Sequence, residues 1–117
     1  MMAEPSGEAE LAREIRATCL NSSGHFPTAD EMASRLGLSL RTLHRRLARD
    51  GLSYQAVIDD LRRSVAIEFL ENTRLSIDQV AGRVGFSDAT SFRKAFRKWT
   101  RHPPTYYRRD GETALRE

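Results

Sequence analysis

Twelve residues of this chain occur twice. Residues 28–39 read TADEMASRLGLS and residues 76–87 read SIDQVAGRVGFS, a repeat at an offset of 48 positions. Each copy runs Ser or Thr, any residue, Asp, Glu or Gln, apolar, Ala, any residue, Arg, apolar, Gly, apolar, Ser. Self-similarity of this kind means one supersecondary unit written twice, so any fold for the chain must build that unit twice.

The pattern inside each copy says what the unit is. Thr28 with Glu31, and Ser76 with Gln79, have the spacing of a capping box, in which the hydroxyl accepts from a free backbone N–H and the longer side chain reaches back. A helix therefore starts at each. Met32, Ala33 and Leu36 form its apolar stripe in the first copy, and Val80, Ala81 and Val84 in the second. Gly37 and Gly85 then supply the left-handed conformation that ends a helix. Ser39 in the first copy, and Ser87 or Asp88 in the second, cap a following helix after a very short turn. Helix, tight glycine turn, helix is the helix-turn-helix arrangement, whose second helix enters the major groove in DNA-binding proteins.

The second helices carry the charge. After a one-residue insertion, Leu43 and Leu47 correspond to Phe92 and Phe96, with Trp99 continuing the aromatic stripe. Around them Arg41, His44, Arg45, Arg46 and Arg49 correspond to Thr90, Arg93, Lys94, Ala95 and Lys98. Solvated helix faces usually mix signs. Neither 41–49 nor 93–101 contains an acidic residue, which favours a polyanionic partner. The whole-chain charge of +3 hides this, because residues 1–35 hold three arginines against six acidic residues and the remainder carries +6. Arginine outnumbers lysine 17 to 2, a bias suited to planar contact with phosphates and guanine edges, and one that a GC-rich genome also produces.

The remaining segments frame the two copies. Residues 53–73 place Tyr54, Val57, Ile58, Leu61, Val65 and Phe69 at helical spacing without Gly or Pro, predicting a continuous linker helix. About 20 residues would span about 30 Å, close to the roughly 34 Å between successive major-groove faces. Its Arg62 and Arg63 are expected to face solvent or pair with Asp59 and Asp60. Residues 8–20 form a packing helix with Leu11, Ile15, Cys19 and Leu20 on its apolar side, behind a disordered lead-in at 1–7. Near the other end, Pro104 suits an early position of a closing helix at 103–110, Tyr106 or Tyr107 packs back, and 111–117 is a frayed tail. The expected fold class is all-α, with about seven helices: helix-turn-helix units at about 28–51 and 76–100, joined by a long central linker helix.

Other chemistry finds little support. With Cys19 as the single cysteine, neither an intrachain disulfide nor a cysteine zinc site can form; a buried thiol and a reducing cytoplasm fit best. No apolar run approaches the roughly 18 residues of a membrane span, and the acidic, polar start does not resemble a signal peptide. His25, His44 and His102 lack metal-ligand spacing, and Asp59 and Asp60, being adjacent, point to different sides of a helix. No nucleotide loop or nucleophile elbow is present. The chain is expected to be no enzyme, to hold no cofactor or metal, and to offer no small-molecule site.

With its two units joined by a long helix, the chain resembles the DNA-binding domain of AraC/XylS-type bacterial transcription regulators over about residues 28–109. The stretches LSLRTLHRRLARDGLSYQ, LSIDQVAGRVGFSDATSFRKAFRKWT and PPTYYRR carry the likeness. The resemblance implies double-stranded DNA read by two helices in adjacent major grooves, and contact with RNA polymerase, usually to activate transcription. By position it implies base-reading roles for Ser39, Arg41, Thr42, His44 and Arg45 in the first unit and Ala89, Thr90, Arg93, Lys94 and Arg97 in the second. Arg41 and Arg45 are favoured for bidentate guanine contacts and Thr90 for a base edge or thymine methyl. Arg49, Ser87, Lys98, Arg101 and Arg108 are expected at phosphates.

Two positions depart from the family pattern: Arg101 stands where glycine usually follows Trp-Thr, and Ala89 where proline often follows Ser-Asp. Only about 27 residues precede the first capping box, too few for the effector or dimerisation domain most members carry. The alternatives are a domain of a longer regulator or a small regulator acting alone. A competing function, a protein-interaction module whose basic faces grip an acidic partner, is disfavoured by cations on both second helices at the preserved spacing.

Overall fold

The computed structural model describes residues 7–21 and 25–108. Among them are seven α-helices and no strand: α1 (Gly7–Leu20), α2 (Ala29–Leu36), α3 (Leu40–Arg49), α4 (Tyr54–Asn72), α5 (Ile77–Arg83), α6 (Ala89–Thr100) and α7 (Pro104–Tyr107). The expected all-α architecture is present, linker helix included. Gly7, assigned to the lead-in, already belongs to α1; the rest of the lead-in, Arg109, Asp110 and the tail lie outside the described residues. The chain divides into two compact units between Ile58 and Asp59.

In the first unit the capping box closes as its spacing predicts. The Glu31 N–H donates to Thr28 Oγ1 at 3.1 Å, and the Thr28 N–H donates to Glu31 Oε1 at 3.0 Å. At the other end of α2, Gly37 adopts φ +73°, which a side chain would resist. That conformation lets the Leu38 N–H reach the Ala33 carbonyl at 2.8 Å and the Gly37 N–H reach Ser34 at 3.1 Å. These two bonds satisfy carbonyls the helix would otherwise leave open, and they aim the chain into α3 within three residues. The core comprises Leu11, Ala12, Ile15 and Cys19 from α1, Met32 and Ala33, Leu43 and Leu47, and Tyr54, Val57 and Ile58. Tyr54 is buried because its hydroxyl has a partner, donating to the Pro27 carbonyl at 2.7 Å. Leu20, expected on the packing side of α1, is instead 60% exposed: at the last position of the helix it lies past the neighbours that cover Cys19.

The second unit repeats the construction. Ser76 and Gln79 close their box at 3.0 and 2.8 Å. Gly85 has φ +93°, and Phe86 and Gly85 donate to Ala81 and Gly82 at 2.9 and 3.1 Å, matching the first turn bond for bond at the sequence offset. Leu61, Ala66, Leu70, Val80, Ala81, Val84, Phe92 and Phe96 form the core. Aromatic rings extend it, with Phe92 and Phe96 at 5.5 Å, Phe86 and Phe92 at 5.7 Å, and Phe96 edge-on to Tyr107 at 5.5 Å. Of the two closing tyrosines, Tyr107 packs back while Tyr106 stacks on His102 at 3.8 Å and stays 45% exposed. Trp99, read as a continuation of the core stripe, is half-buried against Phe86.

Along α4 the expected stripe holds through Leu61 and then moves. Ala66 and Leu70 are buried, whereas Val65 and Phe69 are only half-buried. The first turns of α4 pack within one unit and the later turns within the other, so a single helical period does not describe both. Arg63 pairs with Asp60 at 2.5 Å as the local spacing suggests, but Arg62 lays its guanidinium over the Phe86 ring at 5.3 Å instead.

Candidate nucleic-acid interface

The two short turns place α3 and α6 alike within their own units. Leu43 and Leu47 turn one side of α3 into its core, as Phe92 and Phe96 do for α6, and all four are fully buried. The side opposite is then determined by the 3.6-residue turn. On α3 it is the row Arg41, Arg45, Arg49, flanked by His44; on α6 it is Thr90, Lys94, Lys98, flanked by Arg93 and Arg97. All of these side chains are exposed. Arg41, His44, Arg45, Arg93, Lys94, Arg97 and Lys98 form no ion pair among the described residues, and neither helix contains an acid. Two uncompensated cationic faces, each backed by a rigid apolar core, can bind a polyanion without prior rearrangement.

Several expected roles shift on inspection. Ser39 caps α3: its hydroxyl accepts from the Thr42 N–H at 3.0 Å and donates to Thr42 Oγ1 at 2.9 Å. Both groups are turned to their own helix, so Ser39 is a capping residue rather than a base reader, and Thr42 is half-buried beside it. In α6 the cap is Asp88, not Ser87. The Ser91 N–H donates to Asp88 Oδ1 at 2.7 Å, leaving Ser87 exposed. That bond, strengthened by the Ser91 hydroxyl, holds the Asp88 carboxyl below the usual aspartate range. Ala89 is half-buried at the first helical position, continuing α6 where proline would also have fitted.

Arg101 keeps the left-handed conformation of the family's glycine at φ +70°, the single positive-φ non-glycine residue among those described. Its N–H closes α6 on the Arg97 carbonyl at 2.8 Å, and its side chain is exposed.

Arg108 is the clearest correction. Its guanidinium is not available to a phosphate, because it donates to the carbonyls of Leu70 at 3.1 Å, Phe69 at 3.2 Å and Thr73 at 3.2 Å, and to that of Leu75. These are the carbonyls that the end of α4 and the turn into α5 leave without helical partners. Arg108 is thus the remote cap of α4, and desolvation there lowers its pKa from the ordinary arginine value.

Leu40 escaped sequence reasoning. It stands three residues before Leu43 and so shares the core period, yet at the first position of α3 nothing covers it and it is 38% exposed beside Arg41.

Comparison with known proteins places this geometry. The helix-turn-helix domain family matches residues 32–110. The ornithine utilization regulator of Pseudomonas aeruginosa is 40% identical over 98 residues, covering 84% of this chain and 29% of that protein. The crystal structure of the transcriptional regulator CdpR from Pseudomonas aeruginosa superposes with a TM-score of 0.78 at 38% identity, covering 84% of this chain and 31% of that one. The DNA-binding domain of AdpA, solved in complex with a target DNA, superposes with a TM-score of 0.73 at 28% identity over 91% of this chain and 96% of that one. The chain spans under a third of the length of the curated relatives it matches. No helix among the described residues is long and apolar enough to cross a membrane. With its repeated turn, its two uncompensated cationic faces and these relatives, the chain belongs to the AraC/XylS-type family of helix-turn-helix transcription regulators.

Proposed function

We propose that this chain binds double-stranded DNA in a sequence-dependent manner and thereby regulates transcription, with α3 and α6 lying in adjacent major grooves. The observation that carries the reading is the pair of exposed cationic faces with no acid on either helix, each set behind the same glycine turn. Arg41, His44 and Arg45, and Thr90, Arg93, Lys94 and Arg97, supply the base-edge contacts, with Thr42 and Ala89 at the margins. Arg49, Ser87, Lys98 and Arg101 grip phosphates. The DNA-bound AdpA domain supports the reading by likeness over nearly its whole length. Binding, not catalysis, is the activity proposed, in the bacterial cytoplasm, with RNA polymerase as the protein partner and activation as the usual outcome.

Selection from random duplex DNA at near-physiological salt tests the proposal. Two short enriched boxes centred about 10 base pairs apart are expected. Duplex retained with no enriched motif would reduce both faces to phosphate grips and overturn base reading.

A further inference from the structure

We infer that the two units do not read DNA equally: α3 is the base-discriminating reader and selects guanines, whereas α6 is chiefly a clamp on the backbone. The inference rests on the DNA-binding reading above and adds to it which side chains specify sequence.

The residues that point straight away from a reader's core are those that reach the floor of a groove, while flanking residues meet its walls, where the phosphates are. The floor-facing row differs in kind between the units. On α3 it is Arg41, Arg45 and Arg49; at the equivalent positions α6 has Thr90, Lys94 and Lys98. Arginine presents a planar fork that matches O6 and N7 of guanine in one orientation and pairs with no other base so well. Lysine carries a compact charge with three rotatable donors, which any groove acceptor or phosphate satisfies. In α6 the arginines are Arg93 and Arg97, which lie to one flank of the row and so meet the wall.

A second, independent difference lies at the tips of the helices. The cap of α3 is the neutral hydroxyl of Ser39, whereas that of α6 is the Asp88 carboxylate, held charged by its bonds to Ser91. Both Asp88 oxygens are engaged with Ser91, so they are poorly placed to accept from a cytosine amino group. A fixed negative charge at the leading end of α6 also repels the acceptor-rich guanine edge and the phosphates on either side of it. The end of a reader helix that contacts bases is its N-terminal end. Deep insertion is therefore disfavoured for α6 at the same place where α3, with Leu40 and Arg41 exposed in its first turn, is unobstructed.

The test repeats the selection with Arg45→Ala and Lys94→Ala beside the unaltered chain, followed by affinity measurements on a panel of duplexes carrying each single base-pair change. Arg45→Ala is expected to erase enrichment at one or two guanine positions and to lose on the order of tenfold in discrimination there. Lys94→Ala is expected to weaken binding to chosen and random duplex by the same factor, to make the salt dependence shallower by about 0.9 in log–log slope, and to erase no position. The inference is overturned if Lys94→Ala erases as many positions as Arg45→Ala, or if the positions lost with Arg45 are not guanines. An unaltered chain that binds duplex without any enriched motif would overturn the underlying base-reading function too, and is a different result from equal reading by both helices. Circular dichroism on each variant checks that the fold is retained; since Arg45 and Lys94 are exposed, both are expected to melt with the unaltered chain.

Discussion

Replacing Arg101 with glycine should make the second unit more stable while weakening its grip on DNA. Arg101 ends α6 at φ +70°, ψ +11°, a conformation that costs an L-residue roughly 1–2 kcal/mol through crowding of its Cβ against the carbonyl. Glycine removes that cost and keeps the N–H bond to Arg97, but it gives the unfolded chain more freedom, worth about 0.4–1 kcal/mol in the opposite direction. The net gain is on the order of 0.5–1 kcal/mol. For a domain of this size that corresponds to a rise in Tm of roughly 2–8 °C. Thermal denaturation followed by circular dichroism measures it, with urea midpoints at unchanged m-value as a second reading. Arg101→Ala is the control, since alanine retains the Cβ and loses only the guanidinium. If the glycine variant melts no higher than the alanine variant, the strain assigned to Arg101 is absent. Both variants should bind all duplexes more weakly, because each lacks a cation proposed to meet a phosphate.

Three further outcomes follow from the same physics. Arg108→Met should lower stability by at least about 2 kcal/mol by leaving four carbonyls without their donor, and Arg108→Lys should not restore it, since an ammonium cannot span that fork; a lysine variant with an unchanged Tm would remove the capping role. Gly82→Ala should stabilise α5 by about 0.5–1 kcal/mol, because a methyl there meets no atom within 4 Å and glycine is a poor helix former, and chemical denaturation will show whether the midpoint rises. The caps at Glu31 and Asp88 have lowered pKa values, so their stabilising effect is complete above the ordinary carboxylate range and is lost as pH falls through the depressed folded values. Asp88→Asn retains a capping oxygen and should flatten the acid limb of a stability–pH curve; an acid limb as steep as that of the unaltered chain would contradict the assignment.

How far the sequence could be read depended on the range of the interactions. The capping boxes and glycine turns depend on residues a few positions apart, so their spacing alone identified both units and the bonds that close them. The choice of Leu43, Leu47, Phe92 and Phe96 as core followed from one helical period on helices that each serve one unit. That logic failed on α4, where Ala66 and Leu70 displaced Val65 and Phe69, because the helix is shared. It failed again at Arg108, where the partners lie 33 to 39 residues earlier in the chain. An arginine next to other arginines near a reader looks like a phosphate contact until the bare carbonyls at the end of α4 are seen. Ser39 and Leu40 show a subtler limit: a residue at a helix start can be recruited by the cap or left uncovered, and neither outcome is encoded in periodicity.

The long reach of Arg108 also sets an order of events during synthesis. Every buried residue of the first unit precedes Asp59, so that core is complete while the remainder of the chain is still being made, and domains fold as units from the N-terminal side. The second unit has no such head start. Its α4 end stays open until Arg108 emerges from the ribosome, so a nascent chain stalled before that residue carries one finished reader and one unsecured, and any truncation or fusion placed ahead of Arg108 makes that transient state permanent.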